Sequence, residues 1–307
     1  MAAENDSLEL LSARALHWLT DNLHYLDPSE SSPLPAAPRL KAMLQLGQLC
    51  HYWARLKPED GNIQPIAALA RKIWQWPGVT EQLALAPPRY ARPLALIYGA
   101  LPPADTASER HTAVLAGLAA DGYLTPAGKS PYLRLETRHF ADLAGASHGI
   151  ESYAELYQSS PLAGRTAALP MSYSDACKIA HIMFYLCDFG FREPDLSGED
   201  KATAYRISCE LTDHYVEQNE WDYVAKYLLA QFCFGGDPAR SSHGAAGIQC
   251  LVRVQGAGGA IPAPSAAQQV GEGATPIEFF RQAYQVTLVT ALTSLIISSA
   301  PVREMAA

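Results

Sequence analysis

The stretch that decides the fold is residues 172–190, SYSDACKIAHIMFYLCDFG. Ser172 or Ser174 can cap the N-terminus of a helix, and Asp175 then lies in its first turn, where a negative charge is favourable. Gly190, the last residue of this stretch, lies where a glycine commonly ends a helix. Together these signals predict a helix over about 173–188, built mainly of Ile, Met, Phe, Tyr and Leu.

Further helical patterns lie on both sides of this stretch. Ser197 and Asp200 resemble a capping box at the start of one predicted helix, and Thr275-Pro276 with Glu278 forms a stronger start signal for the last one. The short turns between helices recur at intervals of about 25–40 residues, which is typical of an α-hairpin array or an α/α barrel-like bundle. The sequence therefore predicts an all-α fold. Besides 173–188, the predicted helices span about 5–26, 39–56, 63–76, 89–100, 106–121, 198–217, 220–234 and 276–298.

Two irregular segments bear on the domain organisation. Residues 122–170 are rich in Gly and Pro and predict short helices and loops, forming a junction between an N-terminal half, 1–121, and a C-terminal half, 171–307. The two halves can equally form one continuous domain. Residues 237–274 are rich in Gly, Ala, Pro and Ser and predict one long loop, a functional lid or a disordered connection, with a short β-like run over 249–254.

Composition excludes several classes of function. The chain has 307 residues, of which 49% are hydrophobic and 18% charged, with a net charge of -8. Nucleic-acid binding is not expected, because it needs clustered Lys and Arg. The acidic start MAAENDSLEL does not resemble a signal peptide, and the apolar stretch 286–297 is too short to span a bilayer. We therefore expect a soluble cytoplasmic protein that makes no contact with membranes.

The six cysteines point away from a cysteine-based metal or redox motif. They are Cys50, Cys177, Cys187, Cys209, Cys233 and Cys250, and none forms a C-x-x-C pair. Without a signal peptide they are expected to be reduced and mostly buried thiols.

The first candidate site lies on the helix predicted over 173–188. Cys177, His181, Phe184 and Asp188 are separated by four, three and four residues, which places them on one helix face. Because an isolated buried charge is costly, Asp188 must be hydrated, paired or ligated. One hypothesis makes His181 a base or metal ligand that Asp188 orients. The alternative is a hydrogen-bonded core histidine, with Asp188 near solvent at the helix end.

The second candidate site is the pattern E-x-x-D-H-x-x-E formed by Glu210, Asp213, His214 and Glu217. It resembles the carboxylate and histidine spacing of helical metal sites, although the duplicated Glu-x-x-His of di-iron bundles is missing. The alternative is a solvated helix face. Combining both sites, we predict catalytic roles for His181, Asp188 and His214. These three with Glu210 are the hypothetical ligands of a divalent metal such as Fe or Zn.

A substrate pocket is hypothesised beside these residues. Polar and aromatic side chains of the last helix can line it, but they can equally form the outer face of an ordinary amphipathic helix. The proposed lining residues are Cys177, Tyr185, Arg281, Tyr284 and Gln285.

Residues 181–190 form a sequence pattern that is more distinctive than the chemistry of its side chains. Residues 181–190, HIMFYLCDFG, resemble a segment of poorly characterised helical proteins of bacterial natural-product gene clusters. Residues 15–19, 219–222 and 280–284 are similar to that group as well. The group leads us to expect a histidine after Tyr284, where this chain has Gln285.

The resemblance implies a role in specialised metabolism, and no particular reaction. We therefore expect an accessory or tailoring protein of bacterial specialised metabolite biosynthesis, with a biosynthetic partner protein or a peptide as substrate. The alternative is a non-catalytic helical scaffold, or a module that binds a peptide or partner protein.

Overall fold

A computed structural model describes residues 2–30, 34–103, 106, 109–165, 167–263 and 275–299. Within these residues the regular structure is helical and contains no strand, which confirms the all-α prediction. No helix in this part of the chain is long and apolar enough to cross a membrane. The helices are α1 (Ala2–Asp21), α2 (Ala36–Leu56), α3 (Gln64–Gln75), α4 (Gly78–Leu85), α5 (Pro88–Ala100), α6 (Glu109–Ala120), α7 (Pro131–Leu143), α8 (Tyr153–Gln158), α9 (Tyr173–Leu186), α10 (Gly198–Glu217), α11 (Trp221–Cys233), α12 (Ser242–Val254) and α13 (Pro276–Ser299).

The predicted caps form as the sequence indicates. Ser172 Oγ accepts a hydrogen bond from the backbone N–H of Asp175 at 3.1 Å, and Ser197 Oγ accepts one from Asp200 at the same distance. At α13 the capping box is complete, since the Thr275 hydroxyl accepts from the Glu278 N–H and the Glu278 carboxylate accepts from the Thr275 N–H.

The chain divides into two compact units. One contains residues 1–19 and 153–307, and the other contains residues 20–152. These boundaries differ from the predicted halves in two places. The N-terminal residues group with the C-terminal unit, and residues 122–152 group with the segment that precedes them instead of forming a separate junction.

Contacts of α1 explain why it groups with the C-terminal unit. The Ser12 hydroxyl donates to the carbonyl of Ala291, and the Gln255 amide donates to the carbonyl of Leu11 at 3.2 Å. The ring of Trp18 also stacks on a phenylalanine of α13. Gly259, with a φ of 91°, makes a close approach to α1, since a Cβ there would lie 2.1 Å from the Arg14 carbonyl oxygen.

Helix α11 is the centre of this unit. Every residue from Val224 to Cys233 is buried, and the helix contacts α9, α10, α12 and α13. A helix that is apolar on all sides needs neighbours on all sides, and these four helices supply them.

The prediction of a long loop over 237–274 is wrong in its first part. Helix α12 forms there, capped by Ser241, and the β-like run 249–254 is its last turns. Its buried face packs closely on α10 and α11, because at Gly247 an added Cβ would lie 3.0 Å from Thr212 and from Leu228. The alternating residues of the run therefore reflect a helix with one buried face. Residues 264–274 of the predicted loop lie outside the described residues.

Replacing a core leucine of α11 tests this architecture. Leu228 is fully buried, so Leu228→Ala is expected to lower the free energy of unfolding by about 2–5 kcal/mol through lost burial and a residual cavity. Urea unfolding followed by far-ultraviolet circular dichroism measures the change. The matched control is Leu10→Ala on α1, where the leucine is 48% exposed. Equal losses in the two variants would contradict the central position of α11.

Candidate functional site

The predicted metal ligands do not assemble into a metal site. Among the residues described, no group of three or more His, Cys, Asp and Glu side chains could hold a metal ion. Glu210 is exposed and forms a salt bridge with Arg206 one turn earlier on α10. His214 is half-buried, with its ring 5.0 Å from that of Tyr215.

His181 and Asp188 do not share a helix face. Helix α9 ends at Leu186, and Asp188 lies in a 3-10 turn with a φ of 47°, so the seven-residue helical spacing does not apply. Aspartate tolerates this left-handed conformation better than most side chains. His181 is half-buried on α9, with its ring 5.9 Å from those of Phe184 and Tyr185. The helical spacing therefore does not relate His181 to Asp188, and a shared role of the two residues stays a prediction.

The hypothetical pocket residues lie in three different settings. Arg281 is exposed on α13, and Gln285 is half-buried one turn later. Tyr284 stacks on Phe280 at 5.4 Å, and Phe280 stacks in turn on Trp18 of α1 at 5.7 Å. Burial raises the pKa of Tyr284. This end of α13 thus belongs to an aromatic group against α1.

The remaining two predicted pocket residues, Tyr185 and Cys177, have other neighbours. Tyr185 is buried, with its ring 6.3 Å from that of Phe189. Cys177, in the second turn of α9, instead contacts α11.

Cys177 lies in a group of neighbouring residues that the sequence analysis did not predict. Its Sγ lies 3.8 Å from Nζ of Lys226, a lysine of α11 that is only 6% exposed. Around this contact, α9, the C-terminal end of α10 and the start of α11 contribute acidic and aromatic side chains. We call the group the Cys177–Lys226 cluster; its members are Tyr173, Cys177, Tyr215, Glu220, Asp222, Tyr223, Lys226 and Tyr227.

The charge of Lys226 is held inside the protein. Its ammonium forms a salt bridge with Asp222 Oδ2 one turn earlier and lies 5.0 Å from the centre of the Tyr223 ring. Burial alone would lower the pKa of Lys226, but the Asp222 carboxylate and the Cys177 sulfur raise it above its usual value. The lysine therefore stays protonated. Asp222 Oδ1 is also buried, and it has no hydrogen-bond partner among the described residues.

Four tyrosines fix the position of α11 against α9 and α10. The ring of Tyr215 stacks on those of Tyr223 and Tyr227, with centroid distances of 4.6 and 5.8 Å. The Tyr223 hydroxyl donates to the carbonyl of Tyr173 at 2.9 Å, and the Tyr227 hydroxyl donates to the carbonyl of Ala176 at 2.8 Å. Both bonds end on the first turn of α9, directly beside Cys177, so the tyrosines set the distance between the thiol and Lys226.

Several groups of the cluster have shifted pKa values. Burial raises the pKa of Tyr215 to about 12, and neighbouring Tyr173 and Glu220 add to the effect. Burial and the charge of Asp222 raise the pKa of Glu220, against a smaller opposing effect of a hydrogen bond with Tyr173. The pKa of Tyr223 is raised by burial and by Cys177, Asp222, Tyr215 and Glu220, which indicates that these groups surround its hydroxyl.

This arrangement is suited to nucleophilic chemistry at sulfur. A thiolate is the reactive form of cysteine, and an adjacent ammonium stabilises it. Cys177 is half-buried, so a reagent can reach it, whereas Lys226 is fixed by burial and by Asp222. Glu220, with its raised pKa, is a carboxyl group that can exchange a proton closer to neutrality than an ordinary glutamate.

The sequence carries a signal for the cluster that the spacing analysis did not use. Lys226 is the charged residue inside the apolar run VAKYLLAQFC, and Asp222 precedes it by four residues, the distance of an ion pair on one helix. A second missed pair joins α10 and α12, where His243 Nδ1 lies 2.6 Å from Asp213 Oδ2. Both of its side chains are more than 40% exposed, so it is a surface contact between the helices.

Comparison with known proteins gives one finding. The model of a family described as "Domain of unknown function (DUF6895)" matches residues 12–295. No curated protein and no solved structure matches the chain.

Alkaline titration tests the buried tyrosines. Because the pKa of Tyr215 is raised in the folded state, its contribution to stability is present below about pH 10 and is lost as the pH rises towards 12. The raised pKa of Lys226 acts in the same direction. A two-unit shift corresponds to roughly 3 kcal/mol. Tyr215→Phe is therefore expected to remove much of this alkaline loss, as measured by urea unfolding between pH 8 and pH 12.

The control for this titration is Tyr90→Phe, since Tyr90 is largely exposed. It is expected to follow the wild-type pH dependence. Equal losses of stability in the Tyr215→Phe and Tyr90→Phe variants over this pH range would contradict a raised pKa of Tyr215 in the folded protein.

Proposed function

The chain belongs to the family described as a domain of unknown function, DUF6895, and because that description names no reaction, we propose a function from the site itself. The proposal is an accessory or tailoring protein of bacterial specialised metabolism that transfers an acyl group through the thiol of Cys177. The observation that carries it is the 3.8 Å contact between Cys177 Sγ and Lys226 Nζ. The resemblance of residues 181–190 to proteins of natural-product gene clusters favours the pathway role.

The setting of Lys226 supports a role for it in activating the thiol. A lysine in the centre of a domain costs desolvation energy that an apolar side chain would avoid. Its salt bridge with Asp222 keeps the positive charge in place, and the charge lies beside the sulfur. In a buried setting such a charge interacts more strongly with a thiolate than it would in water.

The proposed reaction needs an acyl donor and an acyl acceptor, and it needs no oxidant or reductant. The Cys177 thiolate attacks the carbonyl carbon of an activated acyl group such as a thioester, and a new carbon–sulfur bond forms. The bond from that carbon to the leaving sulfur breaks, and the proton lost by Cys177 passes to the leaving thiolate. Glu220 is the proposed carrier of this proton, because its carboxyl group belongs to the same cluster, forms a hydrogen bond with Tyr173 and has a raised pKa. A second nucleophile then takes the acyl group and restores the cysteine.

The surface beside the cluster supports a macromolecular bearer of the acyl group. Tyr173, a member of the cluster, is 53% exposed, and Leu169, four residues before it in the chain, is 42% exposed. Exposed apolar side chains next to a reactive group are suited to contact a partner protein or a peptide, which we propose as the substrate. The proposed location is the cytoplasm, where a thiol stays reduced.

The same exposed side chains favour a second candidate, a non-catalytic module that binds a peptide or a partner protein. In that case the thiol of Cys177 is unreactive, and Lys226 serves only to hold α9 and α11 together.

Acylation of the thiol separates the two candidates. The reduced protein is treated with a small acetyl thioester near neutral pH, and the acetylated peptides are followed by mass spectrometry. Cys177 is expected to react first. Cys50, which is also half-buried but has its pKa raised to about 12 by burial, is the slow internal reference. Lys226→Met is expected to slow acylation of Cys177, because the variant removes the ammonium that lies beside the sulfur and stabilises its reactive thiolate.

The control variant is Lys178→Met, since Lys178 adjoins Cys177 in sequence but is about half exposed and pairs with Asp175. It is expected to react like the wild type. Acylation of Cys177 no faster than that of Cys50, or equal rates in wild type and Lys226→Met, removes the thiol mechanism and favours the binding module. A thermal melt of each variant shows that the comparison is made on folded protein.

A further inference from the structure

We infer that Cys177 and Lys226 form a peroxide-sensitive pair, in which Nζ of Lys226 captures the oxidised sulfur of Cys177 and joins α9 to α11 by a covalent bond. The inference uses the same contact as the proposed function but does not need acyl transfer. Either one can therefore fail without the other.

The geometry favours capture by this lysine. Nζ lies 3.8 Å from Sγ, and the two residues are 49 positions apart in the chain. Lys226 is buried and salt-bridged to Asp222, so its amine cannot turn away into solvent. Cys177 is half-buried, so a molecule as small as hydrogen peroxide can reach it. A thiol that peroxide can reach thus lies beside an amine that is held in place.

The other cysteines lack this combination. Cys187 is buried, and its thiol donates to the carbonyl of Met183 at 2.8 Å. Cys250 has a cationic neighbour at 3.7 Å, but this is the guanidinium of Arg253, which does not act as a nucleophile. The Cys250–Arg253 pair therefore resembles Cys177–Lys226 in distance and charge, but its thiol is buried and its cation is not a nucleophile.

The first step oxidises sulfur. The Cys177 thiolate attacks one oxygen of hydrogen peroxide, the oxygen–oxygen bond breaks, and a sulfenic acid and water are formed after proton uptake. Sulfur loses two electrons, and the peroxide gains them.

The second step joins the two side chains. The proton taken up in the first step comes from the Lys226 ammonium, and the neutral amine that remains attacks sulfur. The nitrogen–sulfur bond forms, the sulfur–oxygen bond breaks, and the departing hydroxide takes a second proton from nitrogen to leave as water. The product is a sulfenamide, a type of bond that a sulfenic acid is known to form with nitrogen.

The bond would preserve the cysteine. A sulfenic acid left exposed can be oxidised further to the irreversible sulfinic acid, whereas a thiol reductant can cleave a sulfenamide and return both side chains. During oxidative stress the thiol would be blocked reversibly.

Mass spectrometry of the oxidised full-length protein tests the inference. The reduced protein is treated with hydrogen peroxide, digested and analysed before and after addition of dithiothreitol. We expect a pair of linked peptides containing Cys177 and Lys226, lighter than their sum by two hydrogen atoms, which dithiothreitol separates. Cys250 is expected to form no link to Arg253. Lys226→Arg keeps the charge but removes the nucleophile, so Cys177 is then expected to accumulate as a sulfenic acid that dimedone labels.

Three results would overturn the inference. They are a wild-type Cys177 that dimedone labels as fully as in Lys226→Arg, direct conversion of Cys177 to the sulfinic acid, and a link from Cys177 to any lysine other than Lys226. The first comparison needs a folded Lys226→Arg variant, but the other two use only the wild-type protein. Acetylation of the reduced protein is measured separately, so failure of the cross-link leaves the acyl-transfer result to be judged by itself.

Discussion

A charged lysine in the centre of a domain is the constraint on which the rest of this structure depends. Lys226 lies in α11, whose other residues between Val224 and Cys233 are uncharged and buried. Removing one partner of a buried ion pair typically costs about 3–5 kcal/mol, so the surroundings of Lys226 must be kept together. Asp222 supplies the counter-charge, and the ring of Tyr223 supplies a weaker attraction. The sulfur of Cys177 is placed beside the ammonium as a result.

The tyrosine stack transmits this constraint to three helices. Tyr215 on α10 contacts the rings of Tyr223 and Tyr227 on α11, and those two residues donate their hydroxyl protons to carbonyls at the start of α9. Tyr227 is buried and Tyr223 is half-buried, and each directs its hydroxyl to a carbonyl, so their aromatic surface packs without leaving those hydroxyls unsatisfied. The same contacts that stabilise the helix packing therefore also define the geometry around the thiol.

The local parts of this architecture could be predicted from the sequence, and the long-range parts could not. Helix starts at Ser172, Ser197 and Thr275 depend on side chains that bond within three residues. The sequence predicts the caps at Ser197 and Thr275 directly, and it offers Ser172 and Ser174 as alternatives for α9. The contact of Cys177 with Lys226 joins residues from different helices, and no spacing rule relates them. Asp188 shows the limit even within one helix, because α9 ends two residues before it. Helix α12 was not predicted, because residues 249–254 alone alternate like a strand. The helical period becomes visible only when Gly244 and Gly247 are counted as part of the buried face.

The order of the chain in the C-terminal unit has a consequence for biosynthesis. Helix α1 is synthesised before the rest of its unit, but Ala291, whose carbonyl accepts the hydrogen bond of Ser12, follows 279 positions later. At roughly 5–20 residues per second, translation would leave α1 without its docking surface for tens of seconds while residues 20–152 form their own compact unit. Leu8, Leu11 and Trp18, all buried in the finished protein, would face solvent during that time. The apolar face of α1 is thus the part of this unit that waits longest for its packing partners during synthesis.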